Sequence, residues 1–113
     1  MFLRSDRAHA EILKLDATAA RKHPGVRQIL TGEDAVAAGY VTPPHSLTIP
    51  GRNGSKANPT KRPVLAHKKV RFVGEAVALV VADSAVAAQD AAELIEVEYK
   101  DLPCVVRPDA ALA

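Results

Sequence analysis

The run Ala76-Val77-Ala78-Leu79-Val80-Val81-Ala82 places seven apolar residues in a row between Glu75 and Asp83. Its length and its valines predict a strand covered on both faces. Burying Val77, Leu79, Val80 and Val81 is worth roughly 1.5–3 kcal/mol each. Asp83-Ser84 follows and supplies a helix N-cap. From Ala85 to Ile95, Ala88, Ala91, Ala92 and Ile95 recur at helical spacing, with Gln89, Asp90 and Glu93 on the other side. A face of alanines lets a helix axis lie close to a sheet. Glu96-Val97-Glu98-Tyr99-Lys100 then alternates strictly, turning Val97 and Tyr99 inward and the charges outward. Strand, helix and strand in this order predict a right-handed crossover between parallel strands.

Working outward, the N-terminal half repeats the scheme more faintly. Ala8 to Leu15 reads as a strand, with Asp16 or Thr18 capping a short alanine-rich helix that ends near Lys22. His23-Pro24-Gly25 is a turn, and Val26 to Leu30 a further strand. Thr31 caps a short helix through Ala38, closed by Gly39, with Glu33 and Asp34 at the positive end of the helix dipole. The sum is an α/β (α+β) class: a small mixed β-sheet with packed helices and one long basic arm.

Composition bounds what such a fold can be. The chain has 113 residues, 48% hydrophobic and 25% charged, which suits one domain spanning 1–113 with a modest core. No apolar run approaches the roughly 20 residues that cross a bilayer. The opening MFLRSDRAHAEILK is broken by charge and lacks the apolar centre of a secretory leader. Cys104 is the single cysteine, so neither a disulfide framework nor a four-cysteine zinc or iron–sulfur site can be built within the chain. A cytoplasmic location is expected on these grounds. The net charge of +2 says little about partners.

The charge is unevenly spread, however. No acidic residue lies between Asp34 and Glu75, whereas Arg52, Lys56, Lys61, Arg62, Lys68, Lys69 and Arg71 all fall there. Five prolines from Pro43 to Pro63, with Gly51 and Gly54, make residues 42–63 a long irregular excursion. Loops of that length in a compact domain are usually functional or docked on something else. The seven cations are a candidate docking arm. Nucleic acid is one reading of the stretch 52–71 and an acidic protein another; Phe72 is the sole aromatic after Thr42 in this region, so base-stacking platforms are missing.

Complete chemistry is not legible. His9, His23, His45 and His67 are scattered, with no pair at the i,i+4 spacing of a helical metal site. Cys104, between Pro103 and Val105-Val106, reads as a buried and inert thiol. No serine sits in a G-x-S-x-G elbow. Gly51-Arg52-Asn53-Gly54-Ser55-Lys56 is glycine-rich but has neither a buried strand before it nor a helix after it, as a phosphate cradle needs. Gly74 marks a bulge or a close backbone approach at the start of the central strand, and Glu75 a solvated or ion-paired carboxylate with a general-base role as the alternative. No catalytic, cofactor-binding or metal residue is assigned. Val73, Gly74 and Glu75 are a candidate contact turn.

Read end to end, the chain resembles the α/β hammerhead domain of molybdenum hydroxylase large subunits. The resemblance is carried by Phe2-Leu3-Arg4-Ser5, Ala8-His9-Ala10, Ile12 and Asp16, then by Pro24-Gly25-Val26 and Leu30-Thr31-Gly32. Pro63-Val64-Leu65-Ala66 and Lys69-Val70-Arg71-Phe72-Val73-Gly74-Glu75-Ala76-Val77-Ala78 continue it. Val80-Val81-Ala82, Ala87-Ala88, Ala91-Ala92, Val97, Tyr99, Leu102-Pro103, Val105-Val106 and Pro108 complete it. The departures are Asp6-Arg7 for the usual Pro-His, and Ala76 for the proline after Glu75.

The resemblance implies an N-terminal structural domain in a xanthine dehydrogenase, aldehyde oxidase or carbon monoxide dehydrogenase type of oxidoreductase, with the last as its nearest flavour. In that family the molybdopterin contacts and catalytic glutamate lie in later domains, so the isolated chain is expected to be inactive. Iron–sulfur and FAD subunits are the implied partners, along with the remaining domains of the large subunit. A free-standing binding module that uses the basic arm is the alternative.

Overall fold

A computed structural model describes residues 1–40, 49–55 and 61–112. The strands are β1 (Phe2–Arg4), β2 (Ala10–Asp16), β3 (Val26–Thr31), β4 (Lys69–Val70), β5 (Ala76–Ala82) and β6 (Glu96–Asp101). The helices are α1 (Thr18–Arg21), α2 (Gly32–Ala37), α3 (Ala85–Glu93) and α4 (Pro108–Leu112). Two three-stranded sheets form, ordered β1-β5-β3 and β4-β2-β6, and every pairing within them is antiparallel.

The local readings hold well. Ser84 caps α3 by accepting the Ala87 N–H at 3.1 Å. Thr31 caps α2 in a full capping box: its hydroxyl faces the Asp34 N–H, and the Asp34 carboxylate accepts the Thr31 N–H at 2.8 Å. Asp16 accepts the Thr18 N–H at 2.9 Å, although the N-cap position of α1 belongs to Ala17. His23-Pro24-Gly25 turns the chain, with Gly25 at φ 85°.

The parallel crossover does not hold. β5 and β6 flank α3 but lie in different sheets; β6 pairs with β2 in register from Ala10↔Asp101 to Asp16↔Glu96. The handedness rule governs strands of one sheet, and the polar face of β6 already marks it as antiparallel material. α3 therefore bridges two sheets instead of covering one.

β5 is the element both halves of the core share. Ala78 and Val80 turn to a cluster with Ile29 of β3, Ala20 of α1 and Ala88, Ala91 and Ala92 of α3. Val77 turns to a second cluster with Ala10 of β2, Ala66 and Val70 of β4. Leu3 touches both. Coverage of β5 stops short of its end, because Val81 is 41% exposed.

Candidate functional site

The chain between β4 and β5 makes a tight turn over Phe72-Val73-Gly74-Glu75. Gly74 has φ 89°, a left-handed conformation that glycine adopts without steric cost. A Cβ there would meet nothing within 4 Å, so the turn, and not close packing, explains the glycine. The strand irregularity lies between Leu3 and Arg4 of β1, opposite β5, and not at Gly74 itself.

The turn is tied down from every side. Gly74 N–H donates to Ser5 O at 2.7 Å, and Ser5 N–H donates to Glu75 O at 2.8 Å. Arg4 Nη1 reaches Gly74 O at 2.8 Å. The Glu75 carboxylate accepts the Arg71 N–H at 2.5 Å. Glu75 is only 5% exposed, so this carboxylate is neither solvated nor, among the described residues, ion-paired; it closes the turn from inside. With the polar groups used inward, Phe72 and Val73 project outward at 56% and 64% exposure.

Beside this tip runs an open groove of about 610 Å³, lined by Arg4, Lys61, Arg62 and Arg71 together with Pro63, Val64, Phe72, Gly74 and Glu75. None of the four cations joins an ion pair among the described residues. The geometry thus brings together the contact turn and three of the seven arm cations, Lys61, Arg62 and Arg71. It adds Arg4, from the far end of the sequence, because β1 pairs with β5 through Arg4↔Ala76. Only that long-range pairing could have revealed Arg4, apart from its place in the Phe2-Leu3-Arg4-Ser5 resemblance.

The other arm residues sit elsewhere. Arg52 is exposed in a short 3-10 turn (Arg52–Gly54) closed by Gly51 N–H to Ser55 O at 2.7 Å. Lys69 lies on β4 opposite Glu11. Lys68, at φ 63°, lines a separate recess with Asp16, Asp34 and His67. Lys56 and His45 lie outside the described residues, as do 42–48 and 56–60 of the predicted arm.

Cys104 corrects an expectation: it is exposed, not buried. After β6 the chain is tied by Leu102 N–H to His9 O at 2.9 Å and then runs over the surface, with Val105 and Val106 at 62% and 84% exposure. Apolar neighbours in sequence did not mean burial. Among the described residues no three His, Cys, Asp or Glu side chains converge, and no buried side-chain polar atom lacks a partner.

The family model for the aldehyde oxidase and xanthine dehydrogenase a/b hammerhead domain matches residues 1–103. This chain belongs to that family. The gamma subunit of the 6-hydroxypseudooxynicotine dehydrogenase complex of Paenarthrobacter nicotinovorans is 41% identical over 112 residues, covering 97% of this chain and 14% of that protein. Quinoline 2-oxidoreductase from Pseudomonas putida 86 superposes with a TM-score of 0.84 at 40% identity, over 99% of this chain and 14% of the other. A Cu,Mo-CO dehydrogenase superposes with a TM-score of 0.80 at 38% identity, over 98% and 13% respectively. The hammerhead domain thus spans about one seventh of the relatives it matches.

Proposed function

We propose that this hammerhead domain is a structural part of the large subunit of a molybdenum-cofactor-dependent oxidoreductase, of the xanthine dehydrogenase, aldehyde oxidase or carbon monoxide dehydrogenase type. Its work is to pack against the cofactor-binding domains of that subunit. The observation that carries this reading is the coverage: a match over 97% of this chain occupies 14% of a relative. The surface supports it. Phe72, Val73, Val105, Val106 and Leu112 are all more than half exposed, apolar side chains that a packed neighbour would cover.

With one cysteine, the chain cannot by itself supply the four thiolates of an iron–sulfur cluster. In this reading molybdopterin belongs to the remaining domains of the large subunit, and iron–sulfur clusters and FAD to partner subunits. An exposed free thiol at Cys104 suits a reducing cytoplasm.

The test is purification of residues 1–113 alone, followed by elemental analysis and dye-linked dehydrogenase assays. The expected result is a cooperatively melting protein with no molybdenum and no turnover. Stoichiometric molybdenum, or turnover, overturns the structural role.

A further inference from the structure

We propose that the Phe72–Val73 tip and the cationic groove beside it form one docking surface for an acidic, apolar-centred face elsewhere in the large-subunit polypeptide. This inference rests on the packing role proposed above. It names where that packing occurs and the chemistry of what is met.

The tip is preorganised. Its backbone is held by the Gly74–Ser5, Ser5–Glu75, Arg4–Gly74 and Arg71–Glu75 hydrogen bonds, so docking costs little ordering entropy. A stiff, half-exposed phenylalanine with an adjacent valine has the character of an interface anchor, which gains most when a pocket excludes water around it.

Charge selects the occupant. Arg4, Lys61, Arg62 and Arg71 line the groove beside the tip, and the only acid among its described lining residues, Glu75, already holds the Arg71 N–H. A partner therefore brings carboxylates. Three of the four cations are arginines, whose forked donors suit bidentate carboxylate contacts. A second copy of this chain would meet like charge with like. A nucleic acid strand would find one aromatic ring instead of a row of stacking platforms. The remaining six sevenths of a relative-sized polypeptide, by contrast, is tethered at high effective concentration, so a modest patch suffices.

The experiment grafts residues 1–113 into the Paenarthrobacter nicotinovorans gamma subunit in place of its matching 112 residues. Hydroxyl-radical footprinting then compares Phe72 in the assembled chimera and in the free chain. The expected result is a drop in Phe72 labelling of about fivefold or more, as for a desolvated anchor. Carbodiimide should also join Lys61 to a carboxylate outside residues 1–113. The Lys61→Glu/Arg62→Glu double variant, which alters no described hydrogen bond, should return labelling to the free-chain level. An assembled chimera whose Phe72 labels like the free chain overturns this surface and leaves the packing role standing. A chimera that fails to assemble, although the free chain melts cooperatively, removes the packing role and this surface with it. Tight, steeply salt-dependent binding of a short DNA duplex to the free chain, lost in the double variant, assigns the groove to nucleic acid and overturns the proposal.

Discussion

At the scale of single residues, two positions carry more than their size. Gly32 opens α2, and an added Cβ would lie 2.1 Å from the Ala66 carbonyl oxygen and 3.0 Å from His67 Cα. Both obstacles are backbone, so neither can swing aside. Gly32→Ala should cost at least about 2 kcal/mol, since overpacking here must shift the chain leading into β4. Denaturant melts would measure it, and an unchanged midpoint would contradict the close approach. Asp34, two residues on, is the acidic half of the capping box. Hydrogen bonds from the Thr31 backbone and hydroxyl hold its carboxyl below the ordinary value of 3.8. A folded-state pKa lower than the unfolded one contributes stability above the unfolded value, lost as pH falls through the folded one. Asp34→Asn should therefore flatten part of the acid limb of a plot of Tm against pH below about pH 4, while leaving the limb above neutrality alone. An identical acid limb would remove the capping box from the account. These positions were unequally legible: Thr31 and Asp34 announce themselves by spacing, whereas the need for glycine at 32 comes from residues 66 and 67, which sequence alone does not place beside it.

At the scale of elements, the strongest local signals were also the most reliable. β5 and α3 read directly from an apolar run, a serine cap and a stripe of alanines, and each lies where those signals put it. What failed was partner choice. Nothing local in Glu96–Asp101 says that β6 pairs with β2, some eighty residues earlier, and so leaves the sheet of β5. The excess exposure of Val81 has the same origin, for it depends on where neighbouring elements end. The sharing of β5 between both core clusters makes it the most sensitive strand. Val80 is 1% exposed between Ile29 and the α3 alanines. Val80→Asp would bury a carboxylate without a partner, at a cost of several kcal/mol against a total stability of roughly 5–15 kcal/mol. Circular dichroism should find the variant unfolded at room temperature; a native-like melt would sink the placement of β5.

At the scale of the whole molecule, the candidate site was half legible. The acid-free stretch stood out as composition and the contact turn by its place before the central strand, but their convergence needed the fold: β1 carries Arg4 to the turn, and Lys61, Arg62 and Arg71 line the same groove beside it. Lys68, Lys69 and Arg52 point to other surroundings, so the arm is not one surface. The resulting molecule is a small two-sheet body with an apolar tip, a positive groove and an uncovered C-terminal stretch. These are the features on which the proposed packing role rests.

That claim is tested most directly by scanning calorimetry of the gamma-subunit chimera beside the isolated chain. If the domain packs as an integral part of the subunit, its own transition disappears and the chimera melts as one unit that includes it, with Phe72 becoming open to labelling only at that transition. A separate transition, at the temperature of the isolated chain, would mean that residues 1–113 hang beside the enzyme as an independent module and would contradict the structural role.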